Sequence, residues 1–214
     1  MPSEITSVQV KKFGQLSGHA LPVYALEAIP DSSSVISAGG DRWIALWDLQ
    51  TLQSVKALAQ ATSTVYSLCF IPGFNYLAVG EATGGLHLLD LNESKPLKFF
   101  TTHQKAIFKL SYHPERKWLY GSTPDGELSV WDMESLTLLQ KIQLSTEKIR
   151  GLAVDGLNHR LAIACSDSNI YLLSDELQPL HAFKAHSWAT NTVRWHPSGD
   201  LISGSRDAHI RRWN

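Results

Sequence analysis

The sequence predicts an all-β fold made of five radially arranged four-stranded sheets. Three observations carry that prediction. An eight-residue pattern recurs as VYALEAIP from Val23, VYSLCFIP from Val65, IFKLSYHP from Ile107, IRGLAVDG from Ile149 and TNTVRWHP from Thr190, so successive copies start 42 residues apart three times and then 41. Each period holds four short runs of strand character separated by turn residues. No stretch sustains a helical period. A repeat of this length with four strands has the spacing of a β-propeller blade, a unit that cannot bury its faces alone and stacks on copies of itself.

In the first copy, strands are expected at 23–29, 34–38, 43–48 and 54–59, with Pro30-Asp31-Ser32-Ser33, Gly39-Gly40-Asp41 and Leu49-Gln50-Thr51 between them. These residue types preset or tolerate the φ values that tight turns need. The first strands are apolar on both faces, as a strand flanked by two sheets should be. The fourth strands, at 96–101, 138–144 and 180–184, mix polar and apolar residues, which suits an outer edge. Pro30, Pro72, Pro114 and Pro197 close the first strands in register, with Gly156 in the fourth slot. The whole of 1–214 is therefore expected to be one domain. Its blades are expected at 17–60, 61–102, 103–144, 145–185 and 186–214, plus an N-terminal strand at 5–16.

Bulk properties narrow the function. Hydrophobic residues make up 43% and charged residues 18%, with a net charge of −1. That balance lacks the basic excess of a nucleic-acid-binding domain. No apolar run reaches the roughly 18 residues of a membrane span. Lys11 and Lys12 are followed by no apolar segment, so no secretory signal is expected in residues 1–14. The two cysteines, Cys69 and Cys165, lie inside apolar runs and read as buried thiols, which fits a reducing, cytoplasmic setting.

Within the repeats, Gly18-His19, Ser37, Asp41 and Trp47-Asp48 form a set that resembles the WD-repeat family. Related sets are His103, Asp125 and Trp131-Asp132, and His186, Ser203, Asp207 and Trp213-Asn214. Tryptophan follows the turn aspartate by six residues in all three. The resemblance covers about residues 5–214. The second copy departs from it, with Ala61, Val79, Thr83 and Leu89 in the four slots. The fourth has Ser145, Ile163, Asp167 and Leu173, and the third has Gly121, beside Ser122, in the serine slot. The second and fourth blades are accordingly expected to lack the polar network and to rely on packing.

Serine, histidine and aspartate together suggest nucleophilic catalysis. The resemblance implies instead a structural tetrad, in which imidazole, hydroxyl and indole supply donors to a buried turn aspartate. Recurrence in three copies argues for structure, and no enzyme activity is expected. The nine histidines show no HxxxH or HExxH spacing, and no CxxC occurs, so neither metal nor cofactor is expected. Gly39-Gly40 and Gly84-Gly85 serve turns with no following helix to cradle a phosphate.

The resemblance implies that partners are read by loops at one face of the ring, at the entrance to each first strand and just before the turn aspartate. Tyr24, Tyr66 and Phe108 hold equivalent entrance positions in three successive blades and should form one arc. Lys148, Arg150 and Arg206 should make the next arc basic, with Trp188 and Asn191 beside them. Aromatic and arginine side chains favour anchored interfaces, and the combination suggests a protein or peptide partner of acidic character. The competing reading is that these aromatics pack beneath neighbouring loops. A nucleic-acid partner is a lesser alternative.

Ring closure is left with several answers. The fifth copy runs out at Asn214 after three strands, while 6–16 (TSVQVKKFGQL) reads as a fourth strand with no three before it. Joining them gives five complete blades. The seven-bladed habit of the family suggests instead a piece of a longer parent, whose open edges would invite self-association. A third reading is an engineered or truncated propeller that keeps no ligand.

Overall fold

The computed structural model describes residues 11–214. The first sheet is a meander of β1 (Val23–Ala28), β2 (Ser34–Gly39), β3 (Trp43–Asp48) and β4 (Gln53–Gln60). The second holds β5 (Val65–Ile71), β6 (Tyr76–Glu81), β7 (Gly85–Asp90) and β8 (Lys95–Thr101). The third holds β9 (Lys109–His113), β10 (Trp118–Ser122), β11 (Glu127–Asp132) and β12 (Thr137–Gln143). The fourth holds β13 (Ile149–Asp155), β14 (Arg160–Cys165), β15 (Asn169–Ser174) and β16 (Pro179–Lys184). The fifth has three strands, β17 (Thr190–Trp195), β18 (Leu201–Ser205) and β19 (Ile210–Trp213). All pairings are antiparallel between consecutive strands.

The inner strands pack in sequence, β1 on β5, β5 on β9, β9 on β13 and β13 on β17, which makes the sheets propeller blades. The core lies between blades. Ile36, Ala38 and Ile44 of the first blade meet Val65, Leu68 and Leu77 of the second. Leu86 and Leu88 meet Leu110, Leu119 and Trp131, and Tyr120 and Leu128 meet Leu152 and Leu161. Ala162 and Ile170 meet Val193 and Leu201. Each blade thus offers a front to its successor and a back to its predecessor, and each fully buried Leu or Ile is worth about 1.5–3 kcal/mol.

No such packing joins β17 to β1 among the described residues, so two faces stay open. Leu26, on the back of the first blade, is 68% exposed, whereas Leu68, Leu110, Leu152 and Val193 at its position are between 1 and 5% exposed. Ile210, on the front of the fifth blade, is 81% exposed, against 0–1% for Ile44, Leu86, Leu128 and Ile170.

The expected N-terminal strand is not found where the structure can speak. Its residues 5–10 lie outside the described residues, and 11–16 form no strand. Gly18 instead brings this segment against the Trp47 ring: a Cβ there would stand 3.0 Å from it.

The turns between second and third strands share one backbone device. Arg42, Gly84, Gly126, Ser168 and Ala208 all have positive φ at equivalent places. Glycine is required at two of them for a further reason. A Cβ on Gly84 would lie 2.4 Å from the His103 carbonyl oxygen, and one on Gly126 would lie 2.0 Å from that of Ser145. The incoming loop presses directly on the turn.

Candidate functional site

In the first blade, Trp47 Nε1–H donates to Ser37 Oγ at 2.6 Å, and Ser37 Oγ lies 2.6 Å from His19 Nε2. His19 Nδ1 stands 2.9 and 3.0 Å from the Asp41 carboxylate oxygens. An indole can only donate, so the serine hydroxyl donates on to Nε2, and Nδ1–H is left to donate to Asp41. The fifth blade repeats the chain: Trp213 to Ser203 at 2.9 Å, Ser203 to His186 at 2.8 Å, and His186 to Asp207 at 3.0 and 3.1 Å. Ser37 and Ser203 are buried and already engaged by an indole, an arrangement that ties loop, second strand and third strand together. Burial pushes the Asp41 carboxyl up, but the Ala20 N–H, the His19 ring and the Trp43 N–H outweigh it and hold it below the ordinary 3.8. Asp207 behaves alike: burial raises it, and Ser187 N–H, His186, His209 N–H and Ser205 bring it far below.

The third blade departs from the expected set. His103 Nε2 meets Ser129 Oγ at 2.8 Å and Nδ1 meets Glu127 Oε1 at 2.8 Å, so Glu127 replaces Asp125 as the partner. Asp125 turns to Thr123 Oγ1 at 2.6 Å and Lys105 Nζ at 3.2 Å. Trp131 Nε1 is buried with no partner among the described residues. The cause is Gly121 in the serine slot: a Cβ there would lie 2.7 Å from the Trp131 ring, which fills the space a serine would occupy.

The second and fourth blades do not rely on packing alone, contrary to the expectation. Glu81 is fully buried and accepts from Thr62 N–H at 2.7 Å and Thr62 Oγ1–H at 2.6 Å, and His87 Nε2 lies 3.0 Å from its carboxylate without hydrogen-bond geometry. In the fourth blade, Ser145 Oγ and Tyr171 O–H donate to Asp167 Oδ2 at 2.8 and 2.6 Å. A signal for the second of these was present: Ser145 and Asp167 are 22 residues apart, as are His19 and Asp41. Tyr171 escaped notice because it lies two positions before the tryptophan slot.

Four inner strands begin with a one-residue bulge, between Val23 and Ala25, Val65 and Ser67, Ile149 and Gly151, and Thr190 and Thr192. The residues left over are Tyr24, Tyr66, Arg150 and Asn191. A bulge residue is released from the pairing register and its side chain re-aimed, here at the start of each of these inner strands. Phe108 stands just before β9, its N–H donating to the Ser122 carbonyl at 2.8 Å. Tyr24 and Tyr66 have ring centroids 5.3 Å apart, and Tyr66 meets Phe108 edge-on at 5.7 Å, so three blades present one aromatic ladder. Tyr24 is 52% exposed, while Tyr66 and Phe108 are half-buried by one another.

The ladder runs into a polar arc. Phe108, Arg150 and Asn191 line one open cleft. Ser166, Ser168, Trp188, Ala189 and Arg206 line the next. Arg150 Nε–H donates to Ser166 Oγ at 2.7 Å, which joins the two. The Arg206 guanidinium lies 5.9 Å from the centroid of the exposed Trp188 ring. Lys148 is exposed, and its carbonyl accepts from Ser166 N–H at 2.8 Å. On β1, burial raises the Glu27 carboxyl above its usual value, against the lowering effects of Phe70 N–H, Lys109 and Arg194.

Against this geometry stand the relatives. Residues 10–48, 94–132 and 177–214, more than half of the chain, match the family described as WD domain, G-beta repeat. The chain belongs to the WD-repeat family. The three matches end at or one residue past the third strands of the first, third and fifth blades, those carrying Trp47, Trp131 and Trp213. The chain is 30% identical over 144 residues to WD repeat-containing protein 3 of Mus musculus, covering 65% of this chain and 15% of that protein. It is 25% identical over 167 residues to WD repeat-containing protein SL1-17 of Schistosoma mansoni, covering 78% and 55%. It is 33% identical over 105 residues to target of rapamycin complex subunit wat1 of Schizosaccharomyces pombe, covering 47% and 32%. The chain thus spans at most about half the length of these relatives.

Proposed function

We propose that this chain is a non-catalytic docking module that holds a protein or peptide segment, of apolar and acidic character, across the starts of the inner strands. One observation carries the reading. Tyr24 and Tyr66 at equivalent bulge positions, with Phe108 at the same place before β9, form an aromatic ladder that continues into the bulge residues Arg150 and Asn191. Aromatic rings supply contact area at low entropic cost, and arginine supplies directed donors. The name of one relative, a complex subunit, supports a scaffold role. A cytoplasmic setting is part of the proposal. Both cysteines are free and buried, and burial with Glu27 nearby pushes the Cys69 thiol up to about 12, which makes it an inert packing group.

The test is affinity capture from lysate with the parent protein, Arg150→Glu and Tyr66→Ala. Both variants are expected to lose the captured protein while melting at the parental temperature. A folded Arg150→Glu protein that captures the same partner equally well removes the reading.

A further inference from the structure

Four of the six arginines other than Arg150 and Arg206 are matched by carboxylates, and Arg42 and Arg194 form no ion pair among the described residues. Arg116 pairs with Asp175 at 2.7 Å, Arg160 with Asp155 at 2.8 Å, Arg212 with Asp200 at 2.6 Å and Arg211 with Asp207 at 3.8 Å. Arg150 and Arg206 pair with none among the described residues, although both are exposed, Arg150 at the bulge that opens β13 and Arg206 on the turn after β18. The acids in those loops are Glu147, Asp167 and Asp207. Asp167 is occupied by Ser145 and Tyr171, Asp207 by the His186 ring and the Ser187 N–H, and none of the three forms an ion pair with Arg150 or Arg206.

What the two arginines face is donor-rich. Ser166 Oγ accepts from Arg150 Nε–H, so its own proton is free to donate outward. Ser168 lines the same cleft as Ser166 and Arg206. Its φ of 77° fixes the turn that carries it. Arg206 rests on Trp188, which orients a guanidinium without neutralising it. Anchoring Arg150 through Nε leaves its two terminal nitrogens free as a fork. Two guanidiniums and two hydroxyls supply more directed donors than a two-oxygen carboxylate accepts. They suit a three-oxygen dianion. The net charge of the chain is only −1, so this positive arc is local and does not reflect bulk composition.

We infer that the notch between Arg150 and Arg206 takes the phosphate of a phosphorylated side chain, with an apolar residue of the same peptide lying on the Tyr24–Tyr66–Phe108 ladder. The inference rests on the docking reading above and narrows its ligand to a phosphopeptide. The ladder argues for a peptide over an oligonucleotide: Tyr66 and Phe108 meet edge-on, which closes their faces to successive stacked bases.

The experiment probes the purified chain with two immobilised degenerate peptide libraries, identical except for one central serine that is phosphorylated in the first. A single-stranded oligonucleotide serves as competitor. The phosphorylated library should be retained at least about tenfold more tightly. Arg150→Ala and Arg206→Ala should each reduce that preference without shifting the melting temperature, and Arg206→Lys should restore part of it. Tyr66→Ala should weaken both libraries alike. Equal retention of the two libraries overturns the phosphate site and leaves the docking reading standing. Retention of neither overturns both. Displacement by the oligonucleotide at equal affinity also overturns the phosphopeptide assignment.

Discussion

At the scale of single residues, the polar clasp at each blade entrance is where burial and charge meet. Asp41 gathers the His19 ring and the backbone N–H groups of Ala20 and Trp43 into one turn. Asp41→Ala leaves those donors without an acceptor and is expected to cost on the order of 2–4 kcal/mol in a denaturant titration. The third blade makes a sharper case. Gly121→Ser writes the family's serine into the one tetrad lacking it, and by pattern alone it should stabilise. The Trp131 ring lies 2.7 Å from where the new Cβ would sit, so the opposite is expected. The cost is about 1–3 kcal/mol of overpacking, read as a lower midpoint with an unchanged slope. A stabilised Gly121→Ser protein would show that Trp131 swings back to donate to the new hydroxyl.

At the scale of elements, blade backs differ in what covers them. Leu110 is buried against the second blade, and Leu110→Ala is expected to cost about 2–5 kcal/mol. Leu26 occupies the same place on the first blade but faces solvent, so Leu26→Ala is expected to stay within about 0.5 kcal/mol. Paired thermal melts of the two variants check this directly. Similar losses for both would mean that the back of the first blade is covered in solution. The bulges belong to this scale too, because they separate the recognition residues from the sheet's stability. Tyr66→Ala is for that reason a binding variant, while Ser67→Leu, one residue into the pairing register, would break the Ser67 Oγ–H bond to the Ile107 carbonyl.

At the scale of the whole molecule, acid should act in two stages. Burial holds the imidazoles of His103 and His113 below the ordinary 6.5. The unfolded chain therefore takes up protons that the folded chain refuses, and this part of the stability is complete above about pH 6.5 and declines below it. The carboxyls of Asp41, Asp155 and Asp167 sit below 3.8 in the fold, each because hydrogen bonds to its charged form outweigh burial. Their contribution is complete above that value and is lost as pH falls through their folded values. Glu27 has the opposite sign, since burial raises it above 4.5, and it softens the second stage. Melting temperature followed from about pH 8 to about pH 3 should fall first below neutrality and then steeply below about pH 4. A flat profile down to pH 4 would mean that the two histidines open to water.

Much of this was written locally in the chain. The 42-residue spacing, the turn residues and the strand runs are short-range signals, and β1 to β3 lie within a residue of the positions read from them. So are the tetrads of the first and fifth blades, whose members fall at fixed offsets within one repeat. Which side chains the blades finally engage depends on the packing distance between loop, turn and strand. That distance put Glu127 in place of Asp125, left the Trp131 indole unpaired beside Gly121, and gave the second and fourth blades clasps of their own. The bulges that release Tyr24, Tyr66, Arg150 and Asn191 from the sheet are a matter of register between two strands, which alternation along one strand cannot reveal. The open back of the first blade and front of the fifth are likewise fixed by contacts between sheets far apart in sequence. Composition alone gives Leu26 and Leu110 the same role, and only the presence or absence of a neighbouring sheet separates them.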